Sequence, residues 1–389
     1  MLSNPLIATT LIFALIALGE WLSIVSRARI PMLLTAMVGY LVLVWTGIFP
    51  VDLLERSQFA ALGAILIGPV ILHMGTMIPF ATLKSQYKAV LIAVGGLVVS
   101  GVLVLTIVTF LFDYPTAVAG VGPLSGGVVA LIITSEKLTE IGLASLIIIP
   151  ALIVAFQGVL GMPLAQFFLR KYAVSIQKEM DNGTFVSVND TGTDHTATET
   201  ASSSSPIKTS MTLKLFYVFV GAAIGVLLGE LTGINYSLWC LIIGVVGLKI
   251  GIFESKQLEK ANSFNISMLG IIFVVIGSMA GVSPQDVVSN LPSVIVLILL
   301  GTTGLCIGGY IVSKLVKWHP NKGMPVALTA LFGFPADYIL CEEVSRSIAR
   351  NEKEEKAIFN EILTPMLIGG FTTVTIASII IAGILVETL

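Results

Sequence analysis

The feature that most constrains this chain is a series of ten apolar runs, most of them about 17 to 25 residues long. A helix rises about 1.5 Å per residue, so runs of this length match the roughly 30 Å hydrocarbon core of a bilayer. The sequence therefore predicts an all-α polytopic membrane protein with about ten transmembrane helices. The runs lie at about 5–26, 31–49, 59–80, 89–112, 142–169, 212–231, 235–253, 264–282, 291–314 and 361–386.

The composition agrees with this class and excludes others. The chain is 56% hydrophobic and 11% charged, whereas soluble domains carry about 25% charged residues. A net charge of -2 argues against a nucleic-acid partner. The three cysteines form no CxxC or Cys/His cluster, so neither a disulfide framework nor a zinc site is indicated. No HExxH or GxSxG motif and no paired mid-span aspartates occur, so we expect neither an enzyme nor an organic cofactor.

The first five runs and the last five runs share a sequence pattern. Short matches recur in the same order, at offsets between 202 and 210 residues, which predicts one repeat over residues 1–172 and another over 211–389. The polar residues 173–210 between them predict a flexible linker. The matches pair Leu18-Gly19-Glu20 with Leu228-Gly229-Glu230, Gly47-Ile48-Phe49 with Gly251-Ile252-Phe253, Leu54-Glu55 with Leu258-Glu259, and Gly75-Thr76-Met77 with Gly277-Ser278-Met279.

Lysine and arginine follow every second run, whereas the alternate loops are nearly free of them. Because basic residues accumulate on the cytoplasmic side, both termini are predicted outside and the linker in the cytoplasm. Five spans per half then place the second half upside down relative to the first. Inverted repeats of this kind are typical of secondary transporters.

Two further apolar segments are interrupted by glycine and proline at corresponding places. The first, about 115–140, contains GVGPLSGG, and the second, about 323–347, contains LFGFPAD. A full span in either half would upset the charge alternation, so we predict two re-entrant hairpins. Non-helical backbone at membrane depth is tolerated only when it is buried in protein or lines a wet cavity. The hairpin tips therefore predict a binding site, although close helix packing alone can also explain glycines.

The candidate residues are those at the two breaks and a few polar residues inside the apolar runs. Asp337 carries a charge that is costly at membrane depth and so indicates function, unless it lies solvated near the interface. His73 is either a buried, hydrogen-bonded histidine or a proton-coupling group. The substrate-binding candidates are Ser125, Gly126, Gly127, Gly333, Phe334, Pro335 and Asp337, and the ion-coupling candidates are Thr76, Ser278, Asp337, Thr364 and Thr372.

These segments resemble the bacterial sodium/glutamate symporter (ESS) family and, more distantly, the 2-hydroxycarboxylate transporters. Ser125-Gly126-Gly127 is similar to the start of the family's first-hairpin motif, Ser-Gly-Gly-His-Gly-Thr-Gly. Gly333-Phe334 stands where the second hairpin has Gly-Phe-Gly, and Pro365-Met366 resembles the Pro-Met of the last helix. The chain departs from the pattern after Gly127 with Val-Val-Ala-Leu, and after Phe334 with Pro-Ala-Asp.

The resemblance implies sodium-coupled symport of a small anionic solute, an amino acid or a carboxylate, by an elevator mechanism. It also implies a homodimer in the bacterial inner membrane, with sodium as the only metal. The moving core would combine the hairpins with the third, fifth, eighth and tenth helices. The departures leave the solute open. The alternative is a cation/proton antiporter or amino-acid exporter, for which a buried acidic pair is expected.

Overall fold

The structure is a computed structural model that describes residues 4–77, 86–126, 128–143, 146–185, 210–233, 236–277 and 284–389. These residues form α-helices with short 3-10 and π segments, and no strand occurs among them. The helices of the first half are α1 Pro5–Val25, α2 Met32–Trp45, α3 Leu53–Ser57, α4 Phe59–Met77, α5 Tyr87–Leu111, α6 Tyr114–Leu124, α7 Val128–Glu140 and α8 Ile148–Asp181.

The second half contains nine helices among the described residues. Its last long helix, α16, continues through a π-helical turn, Thr372–Ala377, into α17. The helices are α9 Met211–Thr232, α10 Tyr236–Lys249, α11 Gln257–Lys260, α12 Phe264–Gly277, α13 Pro284–Leu315, α14 Pro320–Leu328, α15 Ala336–Ile348, α16 Glu352–Phe371 and α17 Ser378–Val386.

Each of the ten predicted apolar runs coincides with a helix. Among the described residues, seven helices are long and apolar enough to cross a membrane by length and composition, counting α16 and α17 as one. The helices α2, α10 and α12 are apolar but have 14 residues each, or about 21 Å at 1.5 Å per residue. The chain is therefore a polytopic α-helical membrane protein.

Helix α8 is longer than the sequence predicts, because it runs on to Asp181 through the first nine residues of the segment expected to be linker. Leu169, Ala173 and Ile176 are buried and lie at the i, i+4, i+7 spacing of one helix face. The Gln177 side chain also donates to the carbonyl oxygen of Ile348 at 3.1 Å. Tertiary packing thus extends the helix beyond the apolar run.

The chain divides into two compact units. The first comprises the described residues of Met1–Ser57, Gln86–Lys178 and Val275–Leu389, and the second those of Gln58–Ser85 and Glu179–Val274. Both interrupted segments, α16 and α8 up to Lys178 belong to the first unit, whereas α4 and nearly all of α12 belong to the second. The third and eighth predicted helices thus fall outside the compact unit that contains the interrupted segments.

Within the first unit, α5 and α13 pack closely through small residues. The Ser100 hydroxyl donates to the Gly301 carbonyl oxygen at 2.9 Å. A methyl group at Gly304 would lie 2.4 Å from the Cα atom of Ser100, so the two backbones touch without an intervening side chain. Small residues permit this close approach of helices in membranes.

Within the second unit, α4 packs against α12, and the short helix α11 is held by polar contacts. A methyl group at Gly63 would lie 1.9 Å from the Gly270 carbonyl oxygen. Glu254, just before α11, pairs with Lys214 at 3.1 Å and with Lys260 at 2.8 Å. Partial burial raises the pKa of the Glu254 carboxyl, but the hydrogen bonds and charges of both lysines lower the pKa more, and it lies below its usual value.

The repeated Gly-Ile-Phe tripeptide is a helix stop in both halves. Gly47 follows α2 with φ +74°, and Gly251 follows α10 with φ +78°. The Phe49 amide donates to the Leu43 carbonyl oxygen at 2.9 Å, and the Phe253 amide donates to the Gly247 carbonyl oxygen at 3.1 Å. Glycine fits because the left-handed conformation that ends a helix penalises a Cβ atom.

Candidate binding site at two helix breaks

The first interrupted segment consists of α6 and α7, which are separated at the first break, Ser125 and Gly126. Asp113 caps the start of α6, where its carboxylate accepts from the Thr116 amide at 2.7 Å. The described residues 116–126 are buried, and Gly126 has φ +108°. A buried segment that stops mid-way leaves backbone groups without helical partners. Gly127, a predicted substrate ligand, lies outside the described residues.

The hydroxyl proton of Ser125 is already engaged in a hydrogen bond. Its hydroxyl is 2% exposed and donates to the Gly122 carbonyl oxygen at 2.5 Å. A hydroxyl has one proton and two lone pairs. Ser125 can therefore offer a ligand its lone pairs, which suits a cation better than an anion.

The second interrupted segment consists of α14, a 3-10 turn Thr329–Leu331, and α15. Residues 329–335 form the second break. The Gly333 amide donates to the Thr329 carbonyl oxygen at 2.7 Å, and Gly333 has φ +57°. The Phe334–Pro335 peptide bond is cis. This turn ends one helix and starts α15, with Asp337 in its first turn.

The two breaks pack against each other. A methyl group at Gly126 would lie 2.8 Å from the Ala330 carbonyl oxygen and 3.0 Å from Cγ2 of Val374. A methyl group at Gly333 would lie 2.8 Å from the same Cγ2 atom. Val374 belongs to the π-helical turn after α16, and such turns occur frequently at functional sites. Gly126 and Gly333 thus both lie against Val374 of the π turn, an element that the sequence does not predict.

Asp337 is buried beside this contact. Its side chain is 0% exposed, so the alternative of a solvated interfacial aspartate is wrong. Oδ1 accepts from the Tyr338 amide at 2.7 Å, and Oδ2 has no hydrogen-bond partner. A methyl group at Gly370 would lie 2.6 Å from Oδ2, so α16 leaves room for the carboxylate by placing a glycine there.

The arrangement offers oxygen ligands of the kind that hard cations prefer: carbonyls, a hydroxyl oxygen and a carboxylate. No group of three or more His, Cys, Asp or Glu side chains that could hold a metal occurs in the part of the chain that the structure describes. Phe334 stacks on Phe371 at a centroid distance of 6.2 Å and provides an apolar wall.

The hydroxyl candidates of the last helix fall at different distances from the break. Thr372 opens the π turn and donates to the Ile368 carbonyl oxygen at 2.7 Å. Thr364 lies six residues before Gly370, about 9 Å along the helix.

The sequence did not predict a role for Thr329 or Gly370. The adjacent pair Gly369-Gly370 inside an apolar helix was a signal of close approach.

His73 and Thr76 hold the start of α11 in the second unit. The Leu258 amide donates to His73 Nδ1 at 3.0 Å, and the Gln257 amide donates to the Thr76 hydroxyl at 3.4 Å. Since Nδ1 accepts, the neutral ring carries its proton on Nε2, which has no hydrogen-bond partner. Of the two alternatives for His73, the structure matches the buried histidine with one hydrogen bond. Ser278, the predicted mate of Thr76, lies outside the described residues.

Glu343 is a second buried acid of α15 and is 2% exposed. Its carboxylate accepts from the Met32 amide at 2.8 Å and from Gln166 Nε2 at 2.9 Å. It ties α15 to the start of α2 and to α8. Unlike Asp337, Glu343 has partners for both oxygens and acts as a structural anchor.

A scan against protein-family models gives no match to this chain, and a search of curated proteins also gives none.

Proposed function

We propose that this chain is a secondary active transporter that carries a small anionic solute together with sodium. The observation that carries the proposal is the contact of two helix breaks beside a buried carboxylate. Gly126 meets the Ala330 carbonyl, and Asp337 Oδ2 lies nearby in the same unit without a hydrogen-bond partner. A buried, unsatisfied oxygen is costly, and cation binding would offset that cost.

In this proposal the ten apolar helices span the bacterial inner membrane as two inverted repeats. The segments α6–α7 and α14–α15 enter as hairpins from opposite sides, with both termini outside and the predicted linker, residues 173–210, in the cytoplasm. The glycine stops after α2 and α10 support the repeat. So does the packing of α5 on α13, which correspond between the halves. We infer a homodimer and elevator-type alternating access from the resemblance to the sodium/glutamate symporters.

The residues at the breaks have separate roles in this mechanism. Asp337 Oδ2, the Ser125 oxygen and break carbonyls bind sodium. The first turn of α15 and the amides of the breaks attract the carboxylate of the solute, because helix N-termini favour anions. Sodium fits better than a proton, since neutral oxygens outnumber titratable groups. With the cation bound, Asp337 no longer repels the anionic solute, which couples the two.

A cation/proton antiporter is the second candidate, and the second buried acid of α15 favours it. Asp337 and Glu343 are six residues apart, which is about 9 Å along a helix. They lie on different faces, and Glu343 is fully hydrogen-bonded. This argues that they do not share one cation, so we rank symport first.

The decisive experiment is solute uptake by purified protein in liposomes, with inward sodium or potassium gradients and a panel of amino acids and carboxylates. We expect sodium-dependent uptake that Asp337→Asn abolishes and Ser125→Ala reduces. Asp113→Asn is the matched control, because asparagine caps a helix as well as aspartate. Wild-type uptake by both site variants would contradict the assignment. Sodium-driven proton release without any solute would favour the antiporter instead.

A further inference from the structure

A cavity of about 540 Å³ lies between the α1–α2 connection and one face of α8. None of its lining residues belongs to either break. Every residue around it belongs to the first compact unit. Three of them are basic and none is acidic. The lining is formed by Ala28, Arg29, Pro163, Gln166, Phe167, Arg170, Lys171 and Val174.

The basic side chains are brought together by an unusual backbone. Arg27 and Ala28 have φ +53° and +50°, a backbone conformation that residues other than glycine seldom adopt. The Ser26 hydroxyl oxygen holds the turn by accepting from the amides of Arg29 and Ile30, each at 3.1 Å. Residues in such conformations cluster where a ligand is clamped. Here the turn presents Arg29 to the cavity.

Arg170 is held on the opposite side. One of its terminal nitrogens donates to the Arg27 carbonyl oxygen and to the Ser347 hydroxyl. A guanidinium has five N–H donors, so the others can serve an oxyanion while these contacts fix the plane. Planar, bidentate recognition of phosphate is what arginine does best.

One wall of the cavity is apolar. Gln166 is 1% exposed and gives its amide N–H to Glu343, so it joins the cavity lining to α15. Pro163, Phe167, Arg170 and Val174 follow the i, i+4, i+7, i+11 spacing of one helix face. Phe167 is 49% exposed, and the Lys171 ammonium lies 4.1 Å from the centre of its ring.

This combination distinguishes a lipid from a soluble anion. Arg170 and Lys171 come directly after the apolar run 142–169, which is where side chains reach the head-group layer. Phe167, an exposed aromatic residue of the same face, lies on the hydrocarbon side of Arg170. Basic pockets between helices at this level bind anionic lipid head groups. A soluble phosphate would gain nothing from Phe167.

We propose that this cavity binds the phosphate of an anionic glycerophospholipid such as phosphatidylglycerol. The ligand would also touch α15 indirectly, because Arg170 and Gln166 hold Ser347 and Glu343 of that helix. The lipid would thereby fix the helix whose first turn carries Asp337.

The test titrates the full-length protein in detergent with phosphatidylglycerol, phosphatidylcholine or inorganic phosphate, and measures the melting temperature and the retained lipid by native mass spectrometry. We expect phosphatidylglycerol to bind tightest. Arg29→Gln with Lys171→Gln should weaken it about 25-fold, from two cations at about fivefold each. Lys178→Gln, on α8 but outside the cavity lining, should bind within about twofold of wild type.

The charge-preserving pair Arg29→Lys with Lys171→Arg should retain most of the affinity and keeps the test valid if the neutral pair fails to fold. Wild-type affinity in the neutral pair would overturn the site. Equal binding of phosphatidylcholine, or equal protection by inorganic phosphate, would overturn the assignment to an anionic lipid.

Discussion

The contact between the two breaks makes Gly126→Ala the most informative substitution. The new methyl group would lie 2.8 Å from the Ala330 carbonyl oxygen, a backbone atom that cannot swing aside, and 3.0 Å from Val374. Overpacking of this kind costs about 1–3 kcal/mol. A left-handed φ costs a side chain a further 1–2 kcal/mol or so, partly offset by about 0.4–1 kcal/mol from the stiffer unfolded chain.

Gly142→Ala separates these contributions. Gly142 also has a left-handed φ, +79°, but no atom lies within 4 Å of the position of a new methyl group. Both variants therefore incur the backbone penalty, and only Gly126→Ala incurs the contact. We expect Gly126→Ala to be less stable than Gly142→Ala by about 1–3 kcal/mol and to lose uptake.

The assay compares apparent melting temperatures of the purified variants in one detergent, followed by uptake in liposomes. A melting temperature of Gly126→Ala equal to that of Gly142→Ala, with uptake intact in both, would refute the claim that the breaks touch.

Three further predictions concern polar contacts. His73→Asn retains an acceptor near Nδ1 and should melt close to wild type, whereas His73→Leu leaves the Leu258 amide unpaired and should lose about 1–3 kcal/mol; a wild-type pH profile of uptake in His73→Asn would argue against proton coupling. Glu343→Gln replaces one carboxylate oxygen with an NH2 group that faces a donor, and should lose about 1–3 kcal/mol, whereas Glu230→Gln, at an exposed glutamate of α9, should change the melting temperature little. Glu254 has a lowered pKa in the folded state, so its stabilising effect is present above the unfolded pKa of about 4.3 and is lost as the pH falls through the folded value. The difference in melting temperature between wild type and Glu254→Gln should therefore shrink from pH 7 to pH 3, and an unchanged difference would contradict the lysine contacts.

The sequence predicts those parts of the fold that depend on local properties. All ten apolar runs coincide with helices, because length and hydropathy are read along one segment. The breaks at Ser125–Gly126 and Gly333–Pro335 were predictable because glycine and proline act on their own backbone. The π turn and the position of Gly370 against Asp337 depend on packing between distant segments, which no local pattern encodes.

Burial of charge was the least predictable property. Glu343 stands beside an exposed glutamate in a polar stretch, and only the Met32 amide and Gln166, far away in the chain, make its burial possible. The end of α8 was missed for a similar reason, since Ala173 and Ile176 are buried by neighbours rather than by their own hydropathy.

The duplicated glycine stop gives the molecule an internal replicate. Gly47 and Gly251 share a conformation and have no atom within 4 Å of a new methyl group, yet they belong to different compact units. Alanine at either position therefore delivers nearly the same local perturbation to a different unit. If the protein melts as one cooperative body, the two variants lower one shared transition equally. If it melts in two steps, each variant moves only the step of its own unit, and the pair measures how strongly the units are thermodynamically linked.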